Sequence, residues 1–225
     1  MLDKGVIFWD FDGTLVYPNT RFIDTFLKCS EDVGFSFEEV EKHFKSIYPW
    51  LNFDKIYPDK TDKWWETFLE SITPLYKSRG VSAERAEKIS ADFKKEMIEN
   101  NTYHLYEDAV CVLDTLRQRG YRHYILSNNY PELALIVSDF GIRDFFEDII
   151  VSANVGYEKP RAELYAYALS VAENPKNAYM IGDNPIADIR GGNAAGLKTV
   201  LVHRADSQEA FRVSSSLTEL LDFIN

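Results

Sequence analysis

Two aspartates, Asp10 and Asp12, stand one residue apart where the apolar run Val6-Ile7-Phe8-Trp9 ends and Gly13-Thr14 begins. The run is short and continuously apolar, the pattern of a buried parallel strand. Paired carboxylates at a strand tip add nothing to a core, but they can do chemistry. Asp10 can attack phosphorus as a nucleophile. Asp12 can serve as general acid and base, while nearby oxygens hold a hard cation. Gly13 permits a tight exit that brings backbone amides close to a bound anion. The plain alternative is a strand followed by a polar turn with two surface aspartates.

Three later segments carry complementary groups. Tyr124-Ile125-Leu126 leads into Ser127, whose hydroxyl can hold a phosphoryl oxygen, as can the backbone N–H of Asn128. Ser127 can equally cap a helix, and the two roles are compatible. In Gly156-Tyr157-Glu158-Lys159-Pro160, a lysine held by a proline turn offers one positive charge for a phosphate and for Asp10. Its alternative is an exposed surface lysine. In Tyr179-Met180-Ile181-Gly182-Asp183-Asn184-Pro185-Ile186-Ala187-Asp188, a strand ends at Gly182-Asp183 and Pro185 marks a helix start. Asp183 can ligate a metal from the strand tip. Asp188 falls about one turn into the helix, where an acid also complements the macrodipole.

In this order the four segments resemble the motifs of the haloacid dehalogenase superfamily, most of whose members are phosphatases. The likeness covers residues 4–15 and about 105–205. It implies a Mg²⁺-dependent hydrolysis of a small phosphorylated metabolite through an aspartyl-phosphate. Asp10 would be the nucleophile and Asp12 the acid and base. Ser127, Asn128 and Lys159 would bind the phosphoryl group. Mg²⁺ would sit on Asp10, the backbone carbonyl of Asp12, and Asp183, with Asp188 orienting water or Lys159. Dehalogenation needs no metal, and resembling dehalogenases lack the acid that corresponds to Asp12. A phosphomutase would use the same residues, and a non-catalytic binding module would more often show a broken motif.

These residues need strands to hold them. From Glu107 onward, helices and apolar strands alternate, the pattern of a parallel, doubly wound, Rossmann-like sheet. Strands are expected at 5–10, 122–127, 148–152, 178–182 and 198–203. Helices are expected at 107–119, 131–140, 161–173, 185–195 and 217–224, the last opened by Ser216-x-x-Glu219. Between the first strand and this region, residues 16–105 read as helices at 20–33, 37–48, 62–79 and 83–100. Ser36-x-x-Glu39 forms a capping box there, Gly34 and Gly80 stop two helices, and Pro74 bends or divides the third. Residues 1–15 and 106–225 thus form the α/β core. The inserted all-helical block, 16–105, hangs over the carboxyl ends of the strands, where ligands bind, as a cap. Its aromatics Trp50, Phe53, Tyr57, Trp64 and Trp65 mostly serve its own core. Trp64 and Trp65 are adjacent, so one of them should face the cap–core interface.

Composition narrows the partners. The chain has 225 residues, 45% hydrophobic, enough for a full core. A formal net charge of −11 disfavours nucleic acid, and requires local positive charge to attract an anionic substrate. Cys29 and Cys111 lie far apart and no Cys/His ligand spacing exists, which with the absence of a signal-like or membrane-spanning run suggests a reduced, cytoplasmic protein. His43, His104, His123 and His203 read as surface or packing residues, His104 at the hinge. The oligomeric state is not legible.

Overall fold

A computed structural model describes residues 4–48, 62–204 and 207–225. Its centre is a six-stranded, all-parallel sheet in the order β3-β2-β1-β4-β5-β6. The strands are β1 (Gly5–Trp9), β2 (Tyr121–Ser127), β3 (Phe146–Val151), β4 (Ala178–Gly182), β5 (Lys198–Val202) and β6 (Arg212–Ser214). All five residues of β1 are buried, as expected for a strand with neighbours on both edges and helices on both faces. The three-residue β6 was not legible, since it is too short to show periodicity.

Side chains alternate across β1. Val6 and Phe8 join Tyr124, Leu126 and Met180 beneath helix α8 (Ala162–Val171). Ile7 and Trp9 point the other way, with Ile125, Ile181 and Val200, and this cluster continues through Phe11, Leu15 and Val16 into the helical insertion. There α1 (Arg21–Cys29), α2 (Phe37–Ile47), α3 (Asp62–Ser78) and α4 (Ala83–Glu99) pack around Phe22, Phe26, Phe44, Phe68 and Phe93.

Local sequence signals account for some of the helix boundaries. Ser36 and Glu39 form the reciprocal capping box at the start of α2. Gly80 adopts φ of +64°, the left-handed geometry that ends a helix, just after α3; Gly34, at +74°, closes a 3₁₀ turn, Glu31–Val33, that follows the end of α1 at Cys29. The remaining helices are α5 (Ala109–Gln118), α6 (Leu133–Asp139), α7 (Ser152–Val155) and α9 (Gly191–Ala194).

Three expectations need correction. Pro74 does not divide α3, because it lies on the solvent face while Ile72, Leu75 and Tyr76 bury the opposite one. The expected helix at 185–195 is a π-helical turn, Pro185–Arg190, running into the short α9. The C-terminal helix is a 3₁₀ segment, Thr218–Asp222, and Glu219 bonds Ser214 and Ser215 rather than Ser216. Trp64 and Trp65 are both buried. Helix α3 is covered on two sides. Trp64 stacks on Phe68 at 5.3 Å, and the Trp65 indole N–H donates to Glu132 of the sheet region at 2.8 Å. Trp50, Phe53 and Tyr57 lie outside the described residues.

The chain enters and leaves the insertion side by side. Val16 bridges Leu105, Tyr17 N donates to His104 O, and Tyr106 N donates to Leu15 O. The rings of Tyr17 and Tyr106 lie 4.0 Å apart, and His203 stacks on Tyr106 at 3.8 Å. Beside this junction, buried Arg21 donates to Tyr130 Oη (2.7 Å), Met97 O (2.5 Å) and Asn100 O (2.6 Å). One guanidinium thus satisfies carbonyls at the end of α4 and ties them to the loop after β2. Arg21→Met would leave the Asn100 carbonyl without this donor and Met97 O with only the longer bond from Tyr130 Oη at 3.3 Å. Urea unfolding should show a loss of about 2–4 kcal/mol; unchanged stability would contradict the role given to Arg21.

Candidate active site

Strands β1 and β4 are neighbours, so their tips deliver Asp10 and Asp183 to one place. The ladder continues one step beyond β1, with Asp10 N donating to Ile181 O at 2.9 Å. Asp10 Oδ1 accepts from Phe11 N at 2.8 Å and pairs with Lys159 Nζ at 3.0 Å. Lys159 is fully buried and donates also to Asp188 Oδ1 at 2.6 Å. The surface-lysine alternative therefore fails. Burial alone would lower the Lys159 pKa, but Asp10 and Asp188 outweigh it and hold the ammonium protonated.

Asp188 uses its second oxygen to accept from Asn184 N at 3.0 Å. Capping of the π-helical turn falls to Asn184, whose Oδ1 accepts from Ile186 N and Ala187 N. Asp188 therefore fixes Lys159 and the turn together. Space for its carboxylate exists only because residue 182 is glycine: a Cβ there would lie 2.1 Å from Asp188 Oδ2. Gly13 plays the same part for Asp183, where a Cβ would fall 2.7 Å from the carboxylate.

Ser127, at the tip of β2, is not a helix cap, since α6 begins only at Leu133. Its buried hydroxyl has no hydrogen-bond partner among the described residues, so it is free for a ligand. The Asn128 side chain clasps the Lys159 backbone, accepting from Lys159 N at 2.7 Å and donating to Lys159 O at 2.9 Å.

Asp12 lies in a different environment. Burial, then the charge of Asp10, pushes its carboxyl up to about 7; Asn129, Tyr103 and Arg21 draw it partly back. Asn129 Nδ2 donates to Asp12 Oδ2 at 2.7 Å. Two acids one residue apart thus face opposite influences, one paired with a buried ammonium and the other pushed toward its neutral form.

All seven residues singled out in the sequence converge here. Six of them line or adjoin a 260 Å³ cavity, whose wall includes Asp10, Asp12, Ser127, Asn128, Lys159 and Asp183. Asp188 sits behind Lys159. Pro18, Asn19, Phe22, Tyr48 and Tyr103 close the cavity from the insertion side. Carboxylate oxygens of Asp10, Asp183 and Asp188 lie within 4.8 Å of one another, an all-oxygen set that suits a hard divalent cation. The Asp12 carboxylate is not among them.

Several participants were not read from the sequence. Asn129 was adjacent to a motif residue and could have been considered. Arg204 carried no signal; it follows β5 and donates to Asp183 Oδ2 at 2.9 Å, offsetting the upward push of burial and Asp10 on that acid. Glu158 is buried, and neither carboxyl oxygen meets a donor in hydrogen-bond geometry among the described residues.

Comparison with known proteins bears on the family and the fold. A family model described as haloacid dehalogenase-like hydrolase matches residues 5–196. A phosphoserine phosphatase of Thermus thermophilus is 34% identical over 127 residues, 56% of this chain and 50% of that protein. Pyrophosphatase PpaX of Halalkalibacterium halodurans is 26% identical over 239 residues, spanning 99% of this chain and 98% of its own. Among solved structures, a putative HAD-hydrolase, YfnB, from Bacillus subtilis bound to magnesium superimposes with a TM-score of 0.74 at 23% identity, over all of both chains. A 2-haloacid dehalogenase from Pseudomonas syringae gives 0.70 at 16% identity, over 99% and 97% of the two chains. At these identities the structural likeness is one of fold.

Burial pushes the Glu158 carboxyl from 4.5 up to about 7, with Ser152 and Lys159 drawing it partly back. The fold then holds this proton more tightly than the unfolded chain does. The stability it contributes is full below pH 4.5 and is lost as pH rises to about 7. Glu158→Gln removes that dependence. The stability of Glu158→Gln relative to the parent should rise by on the order of 2–3 kcal/mol between about pH 4.5 and about pH 8, measured by urea unfolding. A gap that stays constant with pH would contradict the assignment.

Proposed function

Because this chain belongs to the haloacid dehalogenase-like hydrolases, we propose that it is a Mg²⁺-dependent phosphatase acting on a small phosphomonoester through an aspartyl-phosphate on Asp10. The observation that carries this reading is the division between the two acids of one cavity. Asp10 is paired with buried Lys159, while Asp12 is pushed up to about 7. Hydrolysis through a covalent intermediate needs both, a carboxylate to attack and a carboxylic acid to donate. Relatives named phosphoserine phosphatase, pyrophosphatase and phosphoglycolate phosphatase support phosphoryl chemistry.

An oxygen of Asp10 attacks phosphorus in line with the ester oxygen. Asp12 gives its proton to that oxygen as the bond to phosphorus breaks, and the alcohol leaves. Asp12, now a carboxylate, takes a proton from water as the water oxygen attacks the phosphorus of the aspartyl-phosphate. Inorganic phosphate departs and Asp10 is restored. Lys159, the Ser127 hydroxyl and the Asn128 backbone amide hold the phosphoryl oxygens. Asp10, the Asp12 main-chain carbonyl and Asp183 would hold Mg²⁺. When bound, the cation offsets charge on the phosphoryl oxygens. The donor set fits, since every contributing atom is a hard oxygen and the Asp10 and Asp183 carboxylates already approach one another.

The helical insertion, residues 16–105, acts in this reading as a cap. Its Pro18, Asn19, Phe22 and Tyr48 face the site from the leaving-group side. Two adjacent crossings at Val16 and Leu105 suit a hinge. In the magnesium-bound YfnB of Bacillus subtilis, interdomain movement has been seen in the crystal.

Two measurements test the reading. Asp10→Asn keeps shape but removes the attacking charge, so turnover of para-nitrophenyl phosphate should fall by roughly three decades or more with folding intact. Near-normal turnover in a preparation free of other phosphatases would reject the covalent route. Chelation by EDTA should abolish activity and Mg²⁺ restore it, while Ca²⁺, with its looser shell, supports little. Full activity in chelator, or turnover of 2-haloacids, would favour dehalogenation. A requirement for a sugar-bisphosphate activator would favour a mutase.

A further inference from the structure

A general acid must present its proton on the correct oxygen and in the correct direction. Asp12 is the last residue before the Gly13 turn, and nothing in its own backbone fixes its carboxyl. Two side chains reach it, Tyr103 from the insertion and Asn129 from the turn after β2, and Asn129 is the one tied to a named oxygen. Its Nδ2 donates to Asp12 Oδ2 at 2.7 Å, so Oδ2 is an accepting oxygen and Oδ1 is the one left to carry a proton toward the leaving group. The Asn129 amide cannot serve equally well flipped. Its Oδ1 already accepts from Tyr130 N at 2.9 Å, which turns the NH₂ group toward Asp12. Its backbone N–H is in turn anchored on Ser152 Oγ at 3.2 Å. Asn129 is buried and shares the cavity wall with Asp12. A chain of bonds from α7, through the turn after β2, therefore ends on one oxygen of the acid.

The geometry points to Asn129 as a positioning residue that selects the oxygen of Asp12 carrying the proton and aims it at the departing alcohol. This rests on the assignment of Asp12 as the general acid. The competing role is purely structural, since the Asn129 side chain also closes the turn through Tyr130 N. The two are separable by leaving group. Para-nitrophenolate departs without a proton, whereas an alkoxide does not. Damage to the turn slows both esters alike, but misplacement of the acid slows the alkyl ester selectively. The ratio of kcat/KM for an alkyl phosphate to that for para-nitrophenyl phosphate isolates the difference, because kcat/KM reports only steps up to departure of the alcohol.

The experiment uses the full chain with glycerol phosphate and para-nitrophenyl phosphate. Asn129→Ala removes both the donor and the turn contact. Asn129→Asp is of the same size, keeps the acceptor for Tyr130 N and removes the donor; the negative charge it adds repels both anionic esters alike and cancels in the ratio, so it serves if the alanine variant does not fold. In either variant the alkyl-to-aryl ratio should fall about tenfold or more, in the direction of Asp12→Asn measured alongside. An unchanged ratio in the Asn129 variants, with Asp12→Asn selective, would overturn the positioning role and leave the acid assignment standing. A ratio unchanged in Asp12→Asn itself would overturn the acid assignment and this inference with it.

Discussion

A protonated lysine with no exposure to solvent is expensive to hold, and in this fold the ammonium of Lys159 is held by two carboxylates alone among the described residues. Three elements must meet for that to happen. Strand β1 brings Asp10, the turn after β4 brings Asp188, and the segment after α7 brings the lysine. Removing any partner leaves a buried charge uncompensated, a penalty of about 3–5 kcal/mol. Well-packed apolar residues would fill the same space at less cost, so stability alone does not explain this triad. What it provides is a carboxylate in a fixed place, with positive charge beside it, in a chain whose formal net charge is −11; in the proposed reaction that carboxylate is the nucleophile. The surrounding detail serves the same end. Gly182 leaves room for Asp188, Asn128 clasps the Lys159 backbone, and Tyr165 Oη binds Ala187 O to steady the turn.

The second acid depends on the first. Asp12 is forced toward neutrality by burial and by the charge of Asp10, with Lys159 committed to Asp10 and Asp188. Groups from both regions of the fold then moderate it, Asn129 from the sheet and Arg21 and Tyr103 from the insertion and its return. Arg21 also carries the contacts that hold the end of α4 against the loop after β2. Packing of the insertion and the electrostatics of the acid therefore share a residue. The cavity is formed jointly in the same way, lined by residues at strand tips and by residues of α1 and its approach, which in the proposed reaction face the phosphoryl and leaving groups respectively.

Most of the sheet was legible because buried parallel strands are continuous apolar runs and their tips carry the chemistry. Asp10, Ser127 and Asp183 end such runs, so one pattern located both the strands and the site. Lys159 was legible through its proline turn, though its full burial was not, since burial follows from the neighbours that topology supplies. Capping signals worked where the helix was regular, at Ser36 and Glu39. They failed at Ser216, where the segment is 3₁₀ and the acceptor is reached from one residue earlier. Arg21, Asn129 and Arg204 were missed for a common reason. Each acts on a partner some twenty or more residues away, and no local periodicity records such a pairing. Trp64 and Trp65 were legible in part: Trp65 reaches Glu132 across the junction as expected, while the burial of both follows from cover on two sides of α3.

In the proposed reaction everything placed around Asp10 serves the formation of a bond between its carboxylate and phosphorus, and that bond would be directly observable. The full-length protein, quenched in acid during steady turnover of a phosphomonoester and digested, should yield a phosphoryl group on the peptide that contains Asp10. The label should vanish after substrate is exhausted. Undiminished turnover with no acid-stable trace of phosphorylation at Asp10 under rapid quench, or a phosphoryl group on another side chain, would contradict the role assigned to Asp10 and to the lysine buried beside it.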